Sequence, residues 1–143
     1  MRRLIQAPMA STWSLISDVG GYSRYAPNID HSKILSGEGV GMVRECSNKD
    51  GDWREVCTEW IEGQHYDFEI QTHEKNYPYL LKVLKGHWSV EEQVGNATLV
   101  KMVFQYEFKN KILGYLLDPI MRRQFTKVCK ALLDNWEKVL STD

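Results

Sequence analysis

The chain has 143 residues, of which 43% are hydrophobic and 26% are charged, and its 18 basic and 19 acidic residues leave a net charge of −1. This length favours a single domain over residues 1–143 that can bury a sizeable core. The even charge balance excludes the basic surface typical of nucleic-acid-binding proteins, so we predict no nucleic-acid partner.

The chain starts with MRRLIQAP, which predicts a short strand at residues 2–6. Pro8 interrupts this basic start before any apolar run, so it does not resemble a signal peptide, and no segment reaches the length of a transmembrane helix. The three cysteines, Cys46, Cys57 and Cys129, are odd in number and lack the CxxC spacing, which disfavours a disulfide framework and indicates a reducing compartment. We therefore expect a soluble, cytoplasmic protein without stable membrane insertion.

Two short helices are predicted after this strand. The segment MASTWSLISDV places Met9, Trp13 and Ile16 on one helical face. The glycine pair at residues 20–21 is expected to end this helix. The segment GYSRYAPN then predicts a second short helix that stops before Pro27.

Between residues 28 and 108 the pattern changes to the two-residue alternation of antiparallel strands. The clearest example is HYDFEIQT, in which Tyr66, Phe68 and Ile70 alternate with polar residues. Asp-Gly in KDGD (residues 49–52) is typical of a hairpin turn. We predict about six strands, within residues 28–35, 42–49, 53–61, 65–72, about 84–92 and 98–108.

The glycines of SGEGVG (residues 36–41) alternate in a way that suggests a phosphate-binding loop. Such a loop feeds the N-terminus of a helix, whereas SGEGVG is followed by MVREC, which has the character of a strand. The segment also lacks the Lys-Ser/Thr pair of a Walker loop and the GxGxxG spacing. We predict instead that these glycines adopt positive φ angles in a hairpin or bulge.

The rest of the chain predicts one long amphipathic helix. It is expected to begin with Asp118 as N-cap and Pro119 in the first turn. Its apolar stripe must pack on the inner face of the sheet, and a wide sheet curls as it twists. A cavity between sheet and helix is therefore a reasonable expectation. The stripe consists of Met121, Phe125, Val128, Leu132, Trp136, Val139 and Leu140.

Several segments in this order resemble one superfamily. They are Ala-Pro-x-x-x-x-Trp (residues 7–13), DVGGYSRYAPN (18–28), SGEGVGMVRE (36–45), GHWSVEE (86–92) and the closing helix. Together they resemble the START/Bet v 1-like (SRPBCC) superfamily, and within it the polyketide cyclase/dehydrase and lipid-transport group, which includes ubiquinone-binding and RatA-like proteins. The first strand, RRLIQ, is shorter than usual for these relatives.

The resemblance implies an α+β helix-grip fold, in which a curved antiparallel sheet wraps a long C-terminal helix, with two short helices after the first strand and a hydrophobic cavity inside. It also implies that SGEGVG joins the second and third strands. The cavity would hold a lipid-like, quinone or polyketide-like molecule. No cofactor is implied, and the oligomeric state stays open.

Strand parity within this fold selects the residues expected to line the cavity. The resemblance implies an inward acidic residue at Glu55, while Asp30 and Arg44 are further polar candidates. Plain core packing is the alternative for each apolar position. The predicted ligand-binding residues are Glu55, Tyr66, Phe68, Ile70, Trp88, Val90, Met102, Phe104, Tyr106, Arg123, Gln124 and Val128; Gly86 and Val100 share their strand face.

Two loops are expected to close the cavity mouth, as the resemblance implies. The segment NYPYLL is predicted to expose Tyr77, Tyr79, Leu80 and Leu81 beside a proline. A membrane- or partner-contacting turn and simple packing under the helix are the alternatives. The predicted gate residues are Asp50, Gly51, Tyr77, Pro78, Tyr79 and Leu80.

Catalytic motifs are missing from the sequence. His31, His65, His73 and His87 form no metal-ligand spacing, so no metal site is predicted, and no Ser-His-Asp order or GxSxG is present. Three functions remain open. They are a carrier of a hydrophobic molecule, which we favour; a cyclase-type enzyme using Glu55 with His87, Tyr106 or Arg123; and a RatA-like interaction module using the YPYLL surface.

Overall fold

The computed structural model describes residues 1–142, which form seven strands, two α-helices and one 3-10 helix. In chain order the elements are β1 (Arg2–Ile5), α1 (Met9–Ile16), the 3-10 helix (Val19–Arg24), β2 (His31–Ser36), β3 (Val43–Asn48), β4 (Gly51–Ile61), β5 (His65–Ile70), β6 (Leu81–Gln93), β7 (Ala97–Phe108) and α2 (Lys111–Leu140).

The strands form one antiparallel sheet in the order β1-β7-β6-β5-β4-β3-β2. The short first strand closes this order by pairing with β7, so that Arg2–Ile5 lie opposite Thr98–Lys101. The sheet curves around α2, and the second half of that helix supplies the core residues Cys129, Leu132, Leu133 and Trp136. The helix-grip prediction is confirmed, as are the six antiparallel strands that follow the short helices.

The glycine-rich segment joins β2 to β3, as predicted. Gly37, Gly39 and Gly41 have φ angles of 76°, 61° and 88°. Glycine adopts such angles at little cost because it has no Cβ. The hairpin interpretation is therefore confirmed, and no helix follows the loop to bind a phosphate.

The short helices differ from the prediction at their ends. Helix α1 stops at Ile16, and the glycine pair lies inside the 3-10 helix instead of ending α1. The Asp18 carboxylate caps the 3-10 helix by accepting a hydrogen bond from the Gly21 N–H at 3.1 Å. A Cβ on Gly21 would lie 2.3 Å from that carboxylate. Glycine is thus needed for the tight cap, not for a helix C-terminus.

The long helix begins eight residues earlier than predicted, with its N-cap at Asn110 instead of Asp118. The Asn110 side-chain oxygen accepts hydrogen bonds from the N–H groups of Ile112 and Leu113 at 2.9 and 3.3 Å. Pro119 lies inside the helix. A proline removes the hydrogen bond to the carbonyl four residues earlier, and here that residue is Tyr115, which is 87% exposed. Water can therefore satisfy the free carbonyl.

Strand β6 also begins earlier than predicted, at Leu81 instead of about Leu84. Leu81 pairs with Phe108 across a register irregularity. Its side chain is buried in the core. The sequence did not indicate this pairing, because residues 77–80, which precede Leu81 and include a proline, show no alternation of apolar and polar residues.

Candidate functional site

A cavity of about 510 Å³ lies between the sheet and α2. This volume is in the range of small-molecule sites in proteins. Its walls are mostly apolar and aromatic, and they come from the sheet, α2, the segment before β2 and the two predicted gate loops. The lining includes Tyr22, Asn28, Ile29, Asp30, Arg44, Asp50, Trp53, Glu55, Ile70, Tyr77, Tyr79, Leu81, Leu84, Trp88, Phe104, Met121, Gln124, Phe125 and Val128.

A buried ion pair forms the polar part of the wall. The β3–β4 register places Arg44 directly opposite Glu55, and the Arg44 Nε donates to Glu55 Oε2 at 2.8 Å, with Nη2 donating to the same oxygen. Arg44 Nη1 also donates to the Val19 carbonyl at 3.1 Å. The Trp53 indole N–H donates to Glu55 Oε1 at 3.0 Å. Both carboxylate oxygens are therefore engaged.

Aromatic rings enclose the guanidinium of this pair. Its central carbon lies 4.6 Å from the Tyr22 ring centroid and 4.4 Å from the Phe68 ring centroid, which allows cation–π attraction to both rings. Burial alone would lower the pKa of Arg44, but the Glu55 carboxylate overcomes this effect and raises it. Arg44 therefore stays charged, and the pair is electrically neutral as a unit.

The Trp88 indole covers Gly86 and forms an aromatic wall of the cavity. It packs edge-on against Phe104, with ring centroids 5.4 Å apart, and stacks on Tyr66 at 5.2 Å. A Cβ on Gly86 would lie 2.3 Å from the indole ring and 3.1 Å from Phe104. Glycine at this position thus allows the indole to lie flat against the strand.

Replacing Gly86 by alanine should therefore displace Trp88. We expect Gly86→Ala to lower the free energy of unfolding by about 1–3 kcal/mol, the usual cost of overpacking, and to change the near-ultraviolet circular dichroism of the tryptophans. Gly20→Ala is the matched control, because its Cβ would meet Ile34 at 3.4 Å, an ordinary contact. Equal stability losses in the two variants would contradict this account of the wall.

Two buried donors on the cavity wall lack a hydrogen-bond partner among the described residues. They are the Tyr77 hydroxyl and the Trp88 indole N–H. A buried polar group without a partner costs free energy. Burial raises the pKa of Tyr77, so its hydroxyl keeps its proton at neutral pH. Both belong to residues that line the cavity.

The two predicted gate loops touch each other at the cavity mouth. The Asn48 side chain donates to the Tyr79 hydroxyl at 2.8 Å, and that hydroxyl donates to Asp50 at 3.1 Å. A Cβ on Gly51 would lie 2.9 Å from the Asn76 carbonyl and 3.3 Å from Pro78. The loops are thus in van der Waals contact, and a gating role for them stays a prediction.

The exposure predicted for the second loop is mostly wrong. Tyr77 and Leu81 are only 7% and 2% exposed, whereas Leu80 is 51% exposed. Tyr77 and Tyr79 pack their rings on Trp53, with centroids 6.4 and 5.9 Å away. The tyrosines face the cavity because the loop folds back over its mouth.

The structure divides the predicted ligand-binding residues into two groups. On the cavity wall it places Glu55, Ile70, Trp88, Phe104, Gln124 and Val128. The others lie elsewhere: Tyr66, Phe68, Val90, Met102, Tyr106 and Arg123.

Each residue of the second group has a distinct position. The Tyr66 hydroxyl donates to the Ile16 carbonyl at 2.7 Å under α1. Phe68 covers Arg44, and Val90 is buried in the core. Met102 and Tyr106 line a separate open groove beside α2 and β1. The side chain of Arg123 is exposed on the outer face of the helix.

Strand parity explains this division. Parity identifies the inward face of a strand, and the predicted apolar strand residues lie on that face. It does not indicate where along the strand the cavity begins. Helix α1 and the 3-10 helix fill one end of the inner space, so residues near that end pack as ordinary core.

Several lining residues were missed. Trp53 has the parity of Glu55, and Met121 and Phe125 belong to the predicted helical stripe, so the sequence contained a signal for these three. Tyr22 comes from the short 3-10 helix, and Asn28 and Ile29 come from the irregular segment before β2, where no periodicity marks an inward side chain.

The acid–base partners considered for Glu55 are not next to it. The His87 Nδ1 lies 2.5 Å from the Asp67 Oδ1 on the outer face of the sheet. Tyr106 donates to Asp118 at 2.6 Å in the separate groove. Asp118 also accepts from Arg122, and these two hydrogen bonds hold the pKa of Asp118 below its usual value.

The spacing of histidines along the chain did not indicate one cluster of residue types that can ligate a metal. Across a bulge in β4, the sheet brings Glu59, His65 and Asp67 together, and their potential metal-ligating atoms lie within 4.8 Å of one another. His65 lies 3.3 Å from Glu59. These groups are on the outer face of the sheet, away from the cavity.

The cysteines are poorly suited to nucleophilic catalysis. Cys46, Cys57 and Cys129 are buried free thiols. Burial raises the pKa of all three, to about 11 for Cys129. The reactive form of cysteine is the thiolate, which is scarce at neutral pH under these conditions.

No helix within residues 1–142 combines the length and the apolar composition needed to cross a membrane.

Comparison with known proteins agrees with this geometry. A sequence profile for a family described as polyketide cyclase/dehydrase and lipid transport matches residues 1–141. No curated protein matches the chain in sequence.

Solved structures share the fold over nearly the whole chain. XoxI from Bacillus cereus is 18% identical, with a TM-score of 0.78 over 98% of this chain and 92% of that one. A START superfamily protein from Mycobacterium smegmatis is 15% identical, with a TM-score of 0.77 over 99% and 95%. A Thalictrum norcoclaurine synthase point mutant in complex with a transition-state analogue is 15% identical, with a TM-score of 0.75 over 99% and 92%. At these identities the likeness shows the fold alone.

Proposed function

Because the chain belongs to the polyketide cyclase/dehydrase and lipid transport family, we propose that it binds and carries a hydrophobic small molecule in the cavity between the sheet and α2. The observation that carries this proposal is the cavity itself, about 510 Å³ in volume and lined by aromatic and aliphatic side chains. A site of this size and lining suits an apolar ligand.

The polar groups on the wall indicate what the ligand has besides apolar surface. Arg44 and Glu55 satisfy each other, so the buried part of the wall offers no unpaired charge to a carboxylate or an amine, and the other charged lining residues, Asp30, Lys49 and Asp50, are exposed. Tyr77 and Trp88 offer two unpartnered donors. We infer a neutral ligand with at least one hydrogen-bond acceptor, such as the carbonyl of a quinone or a polyketide, rather than a fatty acid anion.

The cyclase alternative has one observation in its favour. The Tyr77 hydroxyl is protonated, buried and free to donate, so it could polarise a ligand carbonyl. A general base is also needed to move protons from carbon. Glu55 is held by Arg44 and Trp53, which favours binding over catalysis. The RatA-like alternative loses most of its expected surface, because Tyr77 and Leu81 are buried.

Titration with the neutral fluorescent probe Nile red tests the binding proposal. We expect saturable binding near one probe per chain, with displacement by a neutral quinone at lower concentrations than by a fatty acid of similar size. The control variant Leu116→Ser removes an exposed apolar residue outside the cavity and should leave the titration unchanged. Binding that is lost in Leu116→Ser, or that never saturates, would contradict a cavity site.

A further inference from the structure

The first ten residues of α2 present apolar side chains that nothing in the described chain covers. Ile112, Tyr115, Leu116 and Ile120 are 75%, 87%, 65% and 65% exposed. Their spacing of three, four and eight residues from Ile112 places them on one face of the helix. Asp118 is the one charged residue between Ile112 and Met121. A helix segment that is apolar on all sides is normally buried on all sides.

This face continues to the cavity mouth. The Lys109 N–H donates to the Leu80 carbonyl at 3.0 Å, which ties the second gate loop to the start of α2. Leu80 is itself 51% exposed, while its neighbour Tyr79 lines the cavity. We define the docking face as Leu80, Ile112, Tyr115, Leu116 and Ile120.

Charge along the helix segment that carries the docking face is mostly positive. Residues 109–127 contain five basic residues and one acidic residue, a net charge of +4, which leaves −5 on the rest of the chain because the total is −1. The single acid, Asp118, is paired with Arg122 at 2.7 Å. The basic residues are Lys109, Lys111, Arg122, Arg123 and Lys127.

We propose that the docking face binds peripherally to a membrane surface that contains anionic lipids, and so places the cavity mouth against the bilayer. An amphipathic helix with apolar residues on one side and Lys/Arg at its flanks lies in the membrane interface in this way. Basic side chains near the surface gain further attraction to anionic headgroups. The helix lies on the membrane and does not cross it.

Charge also disfavours a second copy of the chain as the partner that covers the docking face. A two-fold dimer buries the same patch of both subunits. Here it would bring two surfaces of net charge +4 together around a small apolar centre, and like charges oppose such contact. An anionic surface has the complementary sign.

Co-sedimentation with vesicles tests the proposal, independently of what the cavity binds. We expect the full chain to bind vesicles of phosphatidylcholine with phosphatidylglycerol, to bind pure phosphatidylcholine vesicles much less, and to lose most binding in 0.5 M salt. The variant Ile112→Ser/Leu116→Ser should bind anionic vesicles roughly tenfold more weakly. The matched control is Val94→Ser/Val103→Ser, which changes two valines that are 101% and 55% exposed elsewhere.

Three outcomes would overturn the proposal. One is a wild-type chain that does not bind anionic vesicles, and another is equal binding by the two double variants. The third is a concentration-dependent dimer in sedimentation velocity that the Ile112→Ser/Leu116→Ser variant abolishes, since this would assign the face to a second copy. Thermal unfolding of each variant confirms that it is folded before the vesicle measurement.

Discussion

Arg44→Met is expected to lower the free energy of unfolding by about 3–5 kcal/mol, the cost of leaving one partner of a buried ion pair alone. The side chains of Arg44 and Glu55 are 1% and 6% exposed. Without the guanidinium, the Glu55 carboxylate keeps only the Trp53 indole N–H as a donor. Such a loss is a large fraction of the 5–15 kcal/mol that stabilises a typical domain. Chemical denaturation at neutral pH measures it.

Two control variants distinguish the cost of leaving a buried charge unpaired from the cost of losing an exposed ion pair. In Arg44→Met/Glu55→Leu no buried charge remains, so we expect most of the lost stability to return. Lys33→Met removes an ion pair between the neighbouring strands β2 and β3, where Lys33 is 68% exposed and lies 3.6 Å from Glu45. Its effect should stay within about 1 kcal/mol. An Arg44→Met variant no less stable than Lys33→Met would show that the pair is not a structural element of the cavity wall.

Val128→Trp is expected to weaken binding of the fluorescent probe at least about tenfold. A tenfold change corresponds to a loss of roughly 1.4 kcal/mol in binding free energy. Val128 lies on the α2 wall of the cavity, and Ile70 and Trp88 belong to its sheet wall. An indole at this position would occupy space that the ligand needs. The probe titration measures the change, and the helical signal in circular dichroism verifies the fold.

The matched control for this variant is Lys130→Trp. Lys130 lies two residues further along α2 and is exposed, so its indole would point to water. It should bind the probe as the wild type does. Equal loss in both variants would show that a tryptophan on α2 perturbs the helix generally, and equal retention would place the probe outside the cavity.

The six strands between residues 28 and 108 were predictable, because alternation and turn residues are local signals, whereas the helix-grip arrangement was implied by the resemblance to a known superfamily. The alternation at Tyr66, Phe68 and Ile70 marked β5, and the glycines at 37, 39 and 41 marked a hairpin. The start of α2 was not predictable in this way. Pro119 is a typical first-turn residue, yet the helix is capped upstream at Asn110, and the carbonyl that the proline leaves free belongs to the exposed residue Tyr115.

The candidate site could be predicted only in part. Glu55 was expected to face inward, but its partner Arg44 follows from the β3–β4 register, which the sequence does not specify to one residue. The position of the cavity along the strands depends on where α1 and the 3-10 helix fill the inner space. Tyr66 and Val90 therefore belong to the core although they share a face with Trp88.

The charge asymmetry of α2 was visible in the sequence but had no evident meaning there. Lys and Arg are scattered over the whole chain, with a net charge of −1. The fold gives the basic residues near α2 their significance, because it leaves Ile112, Tyr115, Leu116 and Ile120 uncovered beside them.

Native mass spectrometry of the freshly purified chain, beside the same sample after denaturation, tests the binding claim most directly. We expect an additional mass on the native chain that denaturation releases and that Val128→Trp greatly reduces, and the value of this mass would narrow the chemical class of the ligand. A native chain without additional mass, which also fails to bind the fluorescent probe, would contradict the claim that the cavity carries a hydrophobic molecule.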